Sequence, residues 1–224
     1  MAAISPARHR DLLLIALGIV TGATDASAFE RLGHVFASVI TGNLILLGVS
    51  AAQGDGTLAL FAGCALGGYA IGVLVAAPHE DQLRRVWPPS TTIALALDLA
   101  LLMAFTLGWE LSGDTPAEGA QVVLVVLAAS AMGVQSTAVR RLGQLSTTYL
   151  TSTLVGVLEA LRRRLWTGDH ARSVGILVAA LAGAAAATAL ILHARRWTPV
   201  LQIVPLMVVL VSSRGLIQQE SASP

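Results

Sequence analysis

Two carboxylates sit within apolar territory. Asp25 lies in "TGATDASAFERLGHVFASVITGN" (21–43), and Asp98 lies in "IALALDLALLMAF" (93–105). A carboxylate at bilayer depth costs roughly 2.5–3.5 kcal/mol on insertion scales. It persists there by facing a wet cavity, meeting a cation or carrying a proton. Asp25 is therefore a candidate for substrate binding and for proton coupling, with Arg31, Arg140 or Arg141 as its candidate partner in an ion pair. The competing reading is a structural pair that fixes a helix break, or a carboxylate at the membrane interface. Asp98 has no charge near it in sequence. It reads either as a proton-coupling group or as a neutral carboxyl that hydrogen-bonds between helices.

Hydroxyl and amide side chains gather in two places. Thr21, Thr24, Ser38, Thr41 and Asn43 surround Asp25, and Gln135, Ser136, Thr147, Thr148, Thr151 and Thr153 form a second group. Ser38 and Thr41 are three apart and would share a helix face. Asp25, Thr21, Ser38, Thr41, Asn43, Gln135, Ser136, Thr148 and Thr151 are the expected lining of a small polar site. The bland alternative is that small hydroxyl residues glue membrane helices together. No catalytic residues emerge: there is no nucleophile beside a base, no paired carboxylates and no phosphate cradle. The five His show no metal-ligand spacing, so neither a metal nor a cofactor is expected, and an enzyme ranks last among the functions.

Composition places these residues in a membrane. The chain has 224 residues, of which 55% are hydrophobic and 12% charged, and its mean hydropathy is +0.74. Soluble domains carry about twice that charge. Net charge is +1, and no basic patch with interleaved aromatics occurs, so nucleic acid is not an expected partner. All 14 basic residues are Arg. Cys64 is the single cysteine and reads as a small core residue. Arg8 and Arg10 before the apolar run 12–20, with Ala26-Ser27-Ala28 after it, resemble a signal peptide. That reading is set aside because the segment recurs in mid-chain.

Six runs approach the roughly 20 apolar residues that cross a bilayer: 12–29, 57–77, 91–112, 120–139, 173–193 and 198–213, the last interrupted by Pro205. Two more, 35–52 and 145–160, are rich in Ser and Thr. "RLGH" (31–34) over "RLGQ" (141–144) sets an offset of 110, which lays Asp25 over Gln135, Ser38 over Thr148 and Thr41 over Thr151. A position near Gln202 would be the counterpart of Asp98. The chain reads as one transmembrane domain, 1–224, made of related halves 1–112 and 113–224.

Arg is enriched on the cytoplasmic side of membrane proteins. Eight crossings divide the arginines evenly. One net crossing each for 12–52 and 120–162 puts nine of them on one side against Arg195 and Arg196, with Arg31, Arg140 and Arg141 at the breaks. Three crossings per half invert the second half, as in many secondary transporters. The expected fold is all-α: a polytopic membrane bundle of about six spans plus two short or re-entrant helices, in a two-fold, inverted repeat. Gly22, Gly33, Gly42 and Gly143 would flank the breaks.

Both motifs and the hydropathy profile resemble the YoaK-type family of bacterial inner-membrane proteins, a family of unknown function. The first motif is the "TGATDASAF-RLG-VFAS-ITGN" pattern, and the second is "MGVQSTAVRRLG…TTYLTSTL". The family pattern has Asn where this chain has Ser136, and usually Thr-Gly where it has Thr151-Ser152. The resemblance implies a polytopic protein of the bacterial inner membrane and supplies no substrate.

The leading expectation is a small secondary transporter or permease whose central polar site forms where the two broken segments meet. A passive channel and a non-transporting partner or scaffold protein are the alternatives. Expected partners are the lipid bilayer, a small polar solute or ion, and a second copy in a homodimer. The N-terminus is expected in the cytoplasm. "GCALGGYAIG" (63–72) and 175–189 read as packing faces. Arg162, Arg163 and Arg164 read as a topology anchor, with lipid headgroup binding as the lesser reading, and Trp87, Trp109, Trp166 and Trp197 read as interfacial anchors.

Overall fold

The computed structural model describes residues 5–77, 87–142 and 150–221, excluding the side chains of 150–152 and 218–221. The described residues form eight α-helices and no strand. They are α1 (Pro6–Arg31), α2 (Ile40–Gln53), α3 (Gly56–Val75), α4 (Pro89–Leu111), α5 (Glu118–Arg140), α6 (Leu150–Arg163), α7 (Gly168–Ala194) and α8 (Val200–Ser221). Local chemistry sets their starts. Ser5 accepts the Arg8 N–H and Pro6 opens α1, where a missing N–H costs nothing. Asp55 caps α3 by accepting the Leu58 N–H at 3.0 Å. Thr167 and His170 form a reciprocal capping box at α7.

Six helices are long and apolar enough to cross a membrane: α1, α3, α4, α5, α7 and α8. The helices α2 and α6 have 14 residues each, about 21 Å, too short for a bilayer core of about 30 Å. This is the expected set of six spans and two short helices. The expected break at Pro205 is corrected, because α8 continues through it. One proline removes a single donor, and neighbouring helices tolerate that loss at membrane depth.

α1 and α5 form the centre. Burial reaches 67% and 72% of their apolar windows, against 28–33% for the other four spans. α1 packs on α7 and α8; α5 packs on α3 and α4. α2 lies on α3, α6 on α7, and α4 meets α8. Glycine lets the backbones touch. A Cβ at Gly22 would lie 1.9 Å from the Ala180 carbonyl oxygen, and one at Gly183 would lie 2.4 Å from that of Ile19. On the other pair, a Cβ at Gly72 would lie 2.0 Å from the Ser130 oxygen, and one at Gly133 would lie 2.3 Å from that of Tyr69. Gly18 faces Ile176 four residues before Gly22 faces Ala180, so α1 and α7 run parallel. Gly68 faces Val126 and Gly72 faces Ser130, so α3 and α5 do as well. Gly22, expected beside a break, is thus a packing residue inside α1. Gly63 and Gly67 face open space.

Arginines tie the helix ends. Arg31 donates to the carbonyl oxygens of Gly113, at 3.5 Å, and Asp114, bringing the ends of α1 and α4 together. Arg141 donates to the carbonyl oxygens of Ala76 and, at 2.6 Å, Ser90. The end of α5 therefore lies with the end of α3 and the start of α4. Arg172 pairs with Asp11 at 3.2 Å across the starts of α7 and α1. The tryptophans divide. Trp166 and Trp197 are exposed, as anchors should be, whereas Trp87 and Trp109 are buried. Trp87 donates its indole N–H to Thr92 Oγ1 at 2.9 Å. Trp109 is enclosed because α1 and the turn after α7 close over it.

Candidate functional site

The chain leaves α1 after Arg31 and enters α2 at Ile40. Gly33 makes the turn with φ +81°, and a Cβ there would collide with the Phe61 ring at 2.4 Å. Both reasons demand glycine. The segment then folds back beside α1. Asp25 Oδ1 accepts the Ser38 backbone N–H at 2.7 Å, and Oδ2 accepts the Ser38 hydroxyl at 2.5 Å. Asn43 grips the same loop from α2. Its Oδ1 accepts the Phe36 N–H at 3.0 Å, and its Nδ2 donates to the Phe36 carbonyl at 2.6 Å. Phe29 stacks on Phe36, with ring centroids 5.2 Å apart.

Asp25 and Asn43 thus both grip the loop that carries Phe36 and Ser38, and their first task is to hold the break. Buried loop backbone must find partners, and these side chains supply them. Replacing Asn43 by alanine orphans the Phe36 N–H and C=O; a thermal melt in detergent should show a loss of about 1–3 kcal/mol.

Two expectations about this region are corrected. No ion pair joins Asp25 to Arg31 or Arg141 among the described residues. Arg31 and Arg141 spend their guanidinium groups on the carbonyls named above. Six helical residues separate Asp25 from Arg31, about 240° around the axis, so the two side chains point apart. Ser38 and Thr41 do not share a helix face, because Ser38 precedes α2 and Thr41 is exposed.

A second polar seam links the central helices. Gln135 Nε2 on α5 donates to Thr21 Oγ1 at 2.8 Å and to the Leu17 carbonyl at 3.3 Å on α1. Gln202 Nε2 on α8 donates to Ser27 Oγ at 3.2 Å. Ser130 Oγ donates to the Gly68 carbonyl at 3.0 Å. Thr24 is buried and bonds back to the Val20 carbonyl, and Ser136 is buried on α5. Thr147 and Thr148 lie outside the described residues, as does the Thr151 side chain. Ser27 and Ser130 escaped the sequence reading because a serine amid alanines carries no periodic signal.

Asp98 stands apart. It is fully buried on α4, the helix that packs on α5 and α8. Neither carboxyl oxygen has a hydrogen-bond partner among the described residues. The Thr91 hydroxyl, two turns earlier on the same face, also lacks one. A buried carboxyl without partners is expensive unless it carries a proton or meets a cation.

Where α1 and α4 end, a clamp closes the bundle. Arg195 Nε pairs with Asp114 Oδ1 at 2.8 Å, and its Nη1 donates to the Trp109 carbonyl at 2.9 Å. The guanidinium groups of Arg31 and Arg195 lie 5.8 and 5.9 Å from the centre of the Trp109 ring. Beside the clamp is an open hollow of about 500 Å³, lined by Glu110, Asp114, Arg195, Arg196 and Trp197. Among the described residues, no group of three His, Cys, Asp or Glu is placed to hold a metal ion.

The family model described as "Protein of unknown function (DUF1275)" matches residues 13–212. The UPF0700 transmembrane protein YoaK of Bacillus subtilis (strain 168) is 32% identical over 166 residues, covering 73% of this chain and 72% of that protein. No solved structure matches the chain. The matched region takes in α1 from Leu13 onward, α5, both short helices and the Asp25 break, and the chain, a multi-pass membrane protein by its six long apolar helices, belongs to the DUF1275 family.

Proposed function

We propose that the chain is a small secondary transporter of the bacterial inner membrane that carries a small polar solute coupled to protons. Its halves, 1–112 and 113–224, enter the bilayer in opposite orientations, with the N-terminus in the cytoplasm. The observation that carries this reading is the mirrored packing around α1 and α5. The helix starts at 118, 150, 168 and 200 follow those at 6, 40, 56 and 89 by 110 to 112 residues. The close approaches repeat in register. Gly22 on Ala180 corresponds to Gly133 on Tyr69, and Gly183 on Ile19 corresponds to Gly72 on Ser130, each residue displaced by 111.

The end of α1 lies by the loop before α5, so the two central helices run antiparallel, as inversion requires. The same placement leaves α2 no net crossing, because α3 must return to the end that Arg141 ties. Ser38 at the level of Asp25 makes the start of α2 re-entrant. Such backbone is tolerated where it is buried in protein, and unwound segments of this kind form the sites of inverted-repeat transporters. A register of 111 replaces the expected 110. Asp25 then corresponds to Ser136, Gln135 to Thr24, and Gln202 to Thr91 rather than to Asp98.

In this mechanism the solute meets the seam of Thr21, Ser27, Gln135 and Gln202. Asp98 holds the coupled proton, since no other described group satisfies it. The Arg31–Trp109–Arg195 clamp closes one mouth. A non-transporting membrane partner is the second reading, favoured by the saturation of both Asp25 oxygens by Ser38. The test is proton flux into proteoliposomes across a panel of small polar solutes. Wild type should move protons with one solute class. Asp98→Asn should fold normally and lose at least roughly tenfold of that flux, the usual scale for a lost proton-transfer group. Full flux in Asp98→Asn removes Asp98 from the mechanism, and no flux with any solute favours the partner reading.

A further inference from the structure

α6 differs from its partner in the other half. α2 carries no charged residue, whereas α6 ends in Arg162 and Arg163 and is followed by Arg164. At 100° per residue the faces of α6 separate. Thr153 and Ala160 are buried where the helix meets α7. Leu154, Leu158 and Leu161 recur at spacings of four and three on an adjoining face, and they are 47%, 54% and 64% exposed. Glu159 and Arg163 point away from that apolar face. Trp166, just beyond the helix, is also exposed. An apolar stripe beside a polar one, with Arg and Trp at one end, is the pattern of a helix lying in the membrane interface. Among the described residues the side chains of Arg162, Arg163 and Arg164 make no hydrogen bond or ion pair, and all three are exposed, so three guanidinium groups stand free.

We propose that α6 lies along the membrane interface and that Arg162, Arg163 and Arg164 bind the headgroups of anionic phospholipids. The proposal needs the helices to span a bilayer and does not need transport. Charge complementarity selects the occupant. A cluster of arginines beside an apolar helix face attracts anionic lipid over zwitterionic lipid, while the leucines cover the acyl chains. Each arginine near the surface contributes roughly fivefold, so the three together give a preference of about 100-fold.

The test is native mass spectrometry of the full chain in neutral detergent, titrated with phosphatidylglycerol, phosphatidylcholine or inorganic phosphate. Wild type should bind phosphatidylglycerol on the order of 100-fold more tightly than phosphatidylcholine. R162Q/R163Q/R164Q should bind the two lipids alike while melting at the wild-type temperature. R162K/R163K/R164K should keep most of the preference, and R196Q, at the opposite end of the bundle, should keep all of it. Equal binding by wild type would overturn the proposal. So would a preference that survives the glutamine triple, one that R196Q abolishes, or one displaced by millimolar inorganic phosphate. Should the glutamine triple melt early, the lysine triple decides: loss of its preference overturns the proposal, and retention supports it.

Discussion

Gly22→Ala and Gly72→Ala are expected to leave little folded protein at temperatures where wild type is intact. Each new methyl would sit at about 2 Å from a carbonyl oxygen on the facing helix. The obstacle is backbone, so no side-chain rotation relieves it, and the helix pair must part. Overpacking of yielding sites costs about 1–3 kcal/mol. These two sites do not yield, and about 3 kcal/mol or more is expected at each. Fluorescence-detected size exclusion after heating reads the effect. Gly67→Ala on α3 is the matched control, since nothing lies within 4 Å of its Cβ position, and it should melt as wild type does. Under the 111-residue register Gly133 is the counterpart of Gly22 and Gly183 that of Gly72, so Gly133→Ala and Gly183→Ala should fail in the same way. A benign Gly22→Ala would refute the close approach of α1 to α7.

Asp25→Ala is the second large effect, and it falls on stability. The carboxylate satisfies the Ser38 N–H and the Ser38 hydroxyl, both in a buried break. Alanine orphans both donors, each worth about 1–3 kcal/mol, for a loss of roughly 2–5 kcal/mol. Asp25→Asn keeps one acceptor and should lose about half as much. Ser38→Ala removes the hydroxyl donor along with its bond and should be milder still. Thermal melts of the three variants in detergent give the order Ala, Asn, Ser38→Ala from worst to mildest. An Asp25→Ala protein that melts like wild type would mean that the break holds itself without the carboxylate.

The spans were legible because crossing a bilayer demands a composition that any window of sequence displays. The break after α1 was legible as well, since Gly33 and the hydroxyls beside it cannot be explained by lipid contact. The partner of Asp25 was not. Several donors lay near it in sequence, and only the fold-back of 32–39 decides for Ser38 over Arg31. Under the proposed inversion the halves align at 111 residues rather than at the 110 that the motif sets, for a related reason. The "RLG" motif lies where α1 and α5 stop, after Arg31 and Arg140, so it measures the helix ends. Gly22 and Gly133 lie in the packed middle and measure the register of the fold. Trp109 misled because a tryptophan near the end of a span reads as an anchor, and its enclosure comes from Arg31 and Arg195, far away in sequence.

Inversion of the halves is what the functional proposal rests on, and Gln53 and Arg164 probe it, being equivalent positions at the ends of the two short helices. In a Cys64→Ser background, each is replaced singly by cysteine and labelled with a membrane-impermeant maleimide on sealed vesicles of known orientation. The account predicts that Gln53→Cys reacts on the face opposite the N-terminus and Arg164→Cys on the same face as the N-terminus. Labelling of both from the N-terminal face would mean that α2 and α6 cross the bilayer, and it would contradict the inverted architecture.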